Sequence, residues 1–412
     1  MAEPGNPRWR VKRSRHCLSY RRALRIGKQY GRLDFAIVAP HAVKGRGQDG
    51  GARKSQAGKG IEAVRRSRWS VGGAAVLLLV PLAASRAVAA EAWPALSAEF
   101  SVELQDDYGF HASDPPRHLN DLYLTLEGEF ALAYEGGSGL FAKLVFEPVM
   151  DTSDDRYFSD MGLYAEELYL AWRGDGVGLR VGKQDLPFGL ANDLAPDLYG
   201  DDLVGEYELT ELLAVAFEAP LLMLGGEHVA TAALVMADRT ILGDSLFTKR
   251  GRLRRRDGGV ANTRHPASFV LSLAGTIEDT GYALGVRYLG AGRGDGTAEI
   301  GAVAGLKQTL ERAGLEITVF GEFAYFPDFD GARTAAAFSS FGVEVGVGDV
   351  VLAAMHGLQG TENESLDQTV GVSVGWELSE GVSLAAGYRF LDQAGVDSHT
   401  LGLLLRYEFG LD

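Results

Sequence analysis

From residue 96 onward, apolar and polar residues alternate along the chain. The stretch "TLGLLLRYEF" at 400–409 sets Leu401, Leu403, Leu405, Tyr407 and Phe409 against Thr400, Gly402, Leu404, Arg406 and Glu408. "VSLAAGYRF" at 382–390 sets Val382, Leu384, Ala386, Tyr388 and Phe390 against Ser383, Ala385, Gly387 and Arg389. A period of two is the signature of a strand with one apolar and one polar face. The pattern predicts about sixteen strands, at 96–105, 119–134, 140–149, 164–173, 177–186, 207–218, 228–237, 267–277, 281–289, 298–310, 315–325, 336–346, 350–358, 368–377, 382–391 and 398–409. No long amphipathic helix pattern interrupts them.

The connections between these segments alternate in length. Short links such as "EGGSG" at 135–139, "GDG" at 174–176, "AG" at 313–314 and "SEG" at 379–381 take turns with long polar ones, among them 150–163, 187–206 and 238–266. One position expected to be short, 219–227, reads as longer. Short turns at one end and long loops at the other predict an all-β fold, a porin-like transmembrane antiparallel β-barrel of about 16 strands. Each strand with its connection takes about 20 residues, enough for a tilted crossing of 9–11 residues. A soluble sandwich would bury the apolar faces too, but it gives no reason for alternating loop lengths.

Charge divides the chain. Of its 40 Lys and Arg and 55 Asp and Glu, the first 90 residues hold 19 and 4, leaving 21 and 51, a balance of −30, for residues 91–412. "RRSR" at 65–68, the apolar "VGGAAVLLLVPLAA" at 71–84 and Ala87-Val88-Ala89 have the layout of a secretory signal, with cleavage just before Ala90 or Glu91. The expected organisation is therefore a signal peptide at 64–90 and an outer-membrane β-barrel at 91–412. Residues 1–63 read as a non-native or disordered N-terminal extension, with Val64 an alternative start. The one cysteine, Cys17, lies in that extension.

On the barrel reading, the polar faces point into a lumen. The residues expected to line it are Lys143, Arg180, Arg287, Lys307, Arg389, Arg406, Glu127, Glu147, Glu322, Glu344, Glu377 and Glu408. Desolvating so many charges in a dry core would cost several kcal/mol each, so the pattern implies a water-filled interior, for which sixteen strands are wide enough. Aromatics near strand ends, such as Trp172, Phe217, Tyr325 and Trp376, suit the interfacial girdles of such a barrel. Two loops stand out. One is acidic, with Asp193, Asp197, Asp201, Asp202, Glu206, Glu208 and Glu211. It faces outside or folds toward the pore mouth, and reads as a solvated loop bridged by divalent ions of lipopolysaccharide or as a cluster that attracts cations or a metal complex. The other carries "KRGRLRRR" at 249–256, with Arg252, Arg254, Arg255 and Arg256. It is a solvated charge run, a grip on lipopolysaccharide phosphates or an anion-attracting constriction. The six histidines after the signal show no metal-ligand spacing, and no nucleophile elbow occurs. No enzyme, catalytic residue, metal or cofactor is expected.

The stretch "RVGKQDLPFGLANDLAPDLYGDDLVGEYELTE" at 180–211 resembles outer-membrane porins of the LbtU siderophore-associated type, related in style to the phosphate-selective porin O and P group. The matching residues are Gly182, Lys183, Gln184, Pro187, Phe188 and Gly189, with Glu208 and Glu211 beyond the acidic loop. Pro187 cannot donate to a sheet ladder and so belongs where pairing stops. Phe188 is expected at the lipid headgroup level. The resemblance implies passive, charge-biased diffusion of small hydrophilic solutes or ions through an outer-membrane pore. The alternative is a receptor, adhesin or siderophore-uptake barrel without general pore activity. Expected partners are outer-membrane lipid and lipopolysaccharide, not nucleic acid, and a homotrimer is among the open assemblies. Two features depart from the resemblance. Phe409 is followed by Gly410-Leu411-Asp412, whereas such barrels usually end on an aromatic. Residues 91–412 hold only four lysines, which argues against a phosphate path and for a mild cation preference.

Overall fold

The computed structural model describes residues 94–411 apart from 114–117, 175, 195, 197, 201, 224 and 225. The extension at 1–63, the signal at 64–90, and Asp197 and Asp201 of the acidic loop lie outside the described residues. The strands are β1 (Ala95–Ala112), β2 (Asn120–Tyr134), β3 (Ser138–Pro148), β4 (Arg156–Tyr157), β5 (Met161–Gly174), β6 (Val177–Leu186), β7 (Leu209–Met223), β8 (Gly226–Ala237), β9 (Leu246–Phe247), β10 (Ser268–Ile277), β11 (Thr280–Leu289), β12 (Glu299–Arg312), β13 (Leu315–Phe326), β14 (Ala336–Val347), β15 (Val350–Thr361), β16 (Asp367–Ser379), β17 (Val382–Gln393) and β18 (Val396–Leu411).

Leaving aside the two-residue β4 and β9, the sixteen long strands each pair antiparallel with the next along the chain. The first then pairs with the last, from Ala98 opposite Leu411 to Ala112 opposite Ser398. The result is a closed sixteen-stranded antiparallel β-barrel. Every segment expected from the alternation is a strand, and two connections are corrected. The link at 392–397, expected to be one of the long loops, is a two-residue turn, because β17 runs to Gln393 and β18 begins at Val396. The link at 219–227 is as short as its neighbours, because β7 runs on to Met223 and β8 begins at Gly226. Pro220 breaks the alternation and mimics a loop, yet it sits in register opposite Val229.

The pleat sorts the side chains. On one face Leu170, Leu234, Phe323 and Leu403 are between 50 % and 61 % exposed. Large apolar groups left so open across the whole wall form the band that hydrocarbon covers. Trp172, Phe217, Tyr325, Trp376 and Phe409 are exposed on the same face. Phe409 stacks on Phe100 across the closing seam, centroids 5.0 Å apart. The other face carries Glu103, Lys143, Arg287, Glu322, Arg389 and Arg406, all buried. On β18, Leu403 and Leu404 make the contrast: the first is half exposed, the second is buried.

Replacing Leu403 with Arg therefore places a charge on the outer face near the middle of its strand. The folding free energy in lipid vesicles should fall by about 2–4 kcal/mol. An unchanged stability would mean that this face does not meet lipid.

Candidate constriction inside the barrel

The site begins where β6 leaves the wall. β6 pairs with β5 from Gly174 opposite Val177 up to Leu168 opposite Lys183 and no further. Its last pairs with β7 are irregular between Gln184 and Leu186. Near its own start, β5 pairs with β9 instead, Gly162 opposite Phe247 and Leu163 opposite Leu246. The 238–267 loop thus fills the gap that β6 leaves.

The motif residues sit at this divergence. Gly182 has φ +148°, and a Cβ there would lie 2.3 Å from the Leu168 carbonyl oxygen, so glycine is required. The Lys183 side chain is fully buried. Its Nζ donates to Ala165 O at 2.6 Å, Glu211 Oε2 at 2.7 Å and Leu242 O at 2.9 Å, tying β5, β7 and the gap-filling loop at one point. Arg250 reaches the same Glu211 at 2.8 Å and lies 3.8 Å from the Tyr164 ring centroid. Gln184 is buried and donates to Ala214 O.

Beyond Leu186 the chain turns into the barrel. Phe188 corrects the headgroup expectation. It is buried on the inner side, 4.8 Å from the Arg287 guanidinium and beside Phe326. An aromatic can stack on a cation held in a protein interior, and Arg287 is that cation here. The alternative that leaves the acidic loop outside is also corrected. The loop runs across the inner faces of β11 to β18 and reaches β1. Glu322 of β13 accepts the backbone N–H of Leu190 and of Ala191, ahead of the short helix Ala191–Leu194, and the Tyr207 hydroxyl at 2.6 Å. Arg287, paired with Glu299 at 2.7 Å, donates to the Tyr207 carbonyl. Asp202 pairs with Arg389 of β17 at 2.8 Å. The Tyr199 hydroxyl donates to Asp107 of β1 at 2.7 Å. Burial pushes the Tyr199 hydroxyl well above its usual range, and the Asp107 charge pushes the same way. Burial and the Glu322 charge do the same to Tyr207. Both hydroxyls stay protonated donors at neutral pH.

The wall makes room for the loop with glycines on its inner face. A Cβ at Gly285 would meet Phe188, at Gly305 Leu190, at Gly342 Pro196, at Gly357 Leu203, at Gly387 Leu198 and at Gly402 the Tyr199 hydroxyl oxygen at 2.1 Å. Six strands thus leave a bare track under one segment.

The residues expected to line the lumen divide into two groups. Lys143, Glu147, Arg287, Glu322, Arg389 and Arg406 face inward but are buried. Their contacts are the loop or other inner-wall groups: Lys143 lies 3.1 Å from Glu166 and 3.5 Å from Glu127, Glu147 accepts the Tyr164 hydroxyl, and Arg406 pairs with Glu103 at 2.6 Å. Glu127, Arg180, Lys307, Glu344 and Glu408 are half-buried on the inner face, and Glu377 is exposed. Arg180 pairs with Glu218 at 2.8 Å. In the acidic loop, Asp193 is exposed and Asp202, Glu206 and Glu208 are half-buried. Sequence reasoning missed Glu166. A bulge where Lys143 faces Glu167 and Leu144 faces Ala165 turns both adjacent acids inward, and the pair of consecutive carboxylates in an alternating strand was its signal.

Arg252, Arg254, Arg255 and Arg256 are exposed and stand apart from this arrangement. The first three, with Arg239, Leu213 and Met236, line a cleft of about 350 Å³. Leu213 and Met236 face each other across β7 and β8, in phase with the exposed Val215 and Leu234. Arg252, Arg254 and Arg255 therefore gather beside Leu213 and Met236, while Arg250 and Leu253 of the same run turn to Glu211 and to the buried cluster around Phe188 and Tyr207.

No family model matches the chain, and no curated protein does. Solved structures do. OprB of Pseudomonas putida superposes with a TM-score of 0.52 at 9% identity, over 76% of this chain and 94% of that one. The outer membrane channel DcaP of Acinetobacter baumannii gives 0.51 at 11% identity, over 76% and 97%. This is a porin-type barrel. At such identities the likeness speaks for the fold alone, and the inward segment of this barrel rests on the contacts described above.

Replacing Gly402 with Leu should push Tyr199 off the wall and loosen the segment. Single-channel conductance should rise and fluctuate, with the barrel still resistant to SDS until boiled. Conductance equal to the parent's would place the segment elsewhere.

Proposed function

We propose that this protein is an outer-membrane porin that lets small hydrophilic solutes or ions diffuse passively through a wet lumen narrowed by residues 187–208. The observation that carries the reading is the inward fold of that segment. A closed barrel with an apolar exterior need not be open inside, but charged side chains on the inner wall require water or paired charges around them. Of the charges expected in the lumen, the half-buried Glu127, Arg180, Lys307, Glu344 and Glu408 and the exposed Glu377 are those left to meet solute. Lys143, Arg287, Glu322, Arg389 and Arg406 shape the path by holding the segment and the wall in place. No reaction is involved and no cofactor takes part. That DcaP is an outer membrane channel supports the reading.

The balance of −30 in residues 91–412 favours cations, because fixed charge along a narrow aqueous path raises the local concentration of the opposite sign. The basic cleft on the outer wall fits phosphates of lipopolysaccharide better than it fits a solute path, since Arg252, Arg254 and Arg255 stand beside lipid-phase Leu213 and Met236.

Purified protein in a planar bilayer should give discrete open-channel steps. In a potassium chloride gradient the reversal potential should have the sign of a cation-preferring pore. A silent barrel would favour a receptor, and an anion-directed potential would overturn the proposed charge bias.

A further inference from the structure

Passive diffusion makes no use of a cluster at the closing seam. β1 and β18 pair along their length, and a bulge between Gly109 and His111 sets His111 opposite His399. Ligand-capable atoms of His111, Asp397 and His399 all lie within 4.8 Å of one another. His399 Nε2 stands 4.0 Å from Asp397 Oδ2. Its other ring nitrogen, Nδ1, lies 2.7 Å from the Tyr388 hydroxyl oxygen. With Nδ1–H donating to that oxygen, the Nε2 lone pair is free and the ring is held, the usual support for a metal-bound imidazole. The neighbouring His118 is engaged otherwise, its Nε2 accepting the Ala112 N–H at 2.7 Å. The backbone beneath is fixed by Ser113 N–H to Asp397 O at 3.0 Å and Asp397 N–H to Ser113 Oγ at 3.1 Å.

We propose that His111, Asp397 and His399 bind one divalent transition metal of the zinc class and so clip the first strand of the barrel to the last. Two imidazoles and one carboxylate are ligands zinc takes readily, with water completing a tetrahedral set. Ligands about 2.0 Å from a tetrahedral metal stand about 3.3 Å apart. Binding therefore asks the His399–Asp397 pair, 4.0 Å apart, to draw together by under about 1 Å and the exposed His111 to turn its ring toward them. The ligands come from opposite ends of the barrel sequence, so the site exists only when the seam is shut. A metal that binds the closed barrel and not the unfolded chain stabilises the closed form.

The test uses the full barrel in detergent, without a histidine tag and stripped with chelator. Titration with cobalt(II) should give the intense visible absorption of a four-coordinate site at one metal per barrel, abolished by zinc. His399→Ala and the milder, surface-lying His111→Gln should each weaken binding about tenfold or more. Zinc should raise the temperature at which the SDS-resistant barrel unfolds in the parent and leave both variants unmoved. The parent titration stands alone should a variant fail to fold. Absence of the cobalt spectrum and of a zinc-dependent shift in the parent overturns the proposal, as does a folded variant that binds as tightly as the parent.

Discussion

Hydrocarbon offers no hydrogen-bond partner, and this one constraint orders the whole molecule. Each strand that crosses lipid must give every N–H and C=O to a neighbour, so the sheet cannot end. It therefore closes, β1 against β18, with Glu103 of the first strand paired to Arg406 of the last. Once the ring is closed, the pleat leaves each side chain two choices, lipid or lumen. Leu403 and Leu404 show how finely adjacent residues divide between them.

The same constraint explains the crowded corner at the end of β6. When β6 departs from the wall, its neighbours lose partners on one side. β9 supplies two pairs to β5, and the Lys183 ammonium supplies three donors to carbonyls and a carboxylate at the point of divergence. A buried cation satisfied in this way is tolerable, whereas removing one of its partners would leave an uncompensated charge, at about 3–5 kcal/mol. The departure of β6 carries the acidic segment inward, where Glu322, Arg389 and Asp107 receive it. Wall, gap-filling loop and constriction are thus consequences of one strand ending early.

Much of this was legible in the chain, because period two is a direct imprint of a wall with two faces. The sixteen strands and the inner placement of Arg287, Glu322 and Arg389 come directly from it. What alternation cannot carry is the path of a loop. Phe188 and Asp202 look like surface residues until a wall is set around them, and Arg287 and Arg389 look like solvent-facing charges until the segment covers them. A signal was nevertheless present. Gly285, Gly305, Gly342, Gly357, Gly387 and Gly402 recur on the polar face of six strands, and a wall needs bare positions only where something packs against it. Bulges were equally hidden, since one extra residue at Glu166 reverses the phase of the rest of its strand. The histidines of the seam are far apart in sequence and meet only through closure.

The central claim, that the described residues of 187–208 lie inside a closed barrel, has a direct test. Residues 91–412 contain no cysteine, so a pair can be introduced on a clean background. An ideal Cβ at Gly387 stands 3.2 Å from the Leu198 Cβ, close to the separation a disulfide spans. The Leu198→Cys, Gly387→Cys double variant, folded in detergent and mildly oxidised, should form that bond within one chain and leave no thiol for a maleimide. Two thiols that remain free and react readily, in a barrel that still resists SDS, would contradict the account.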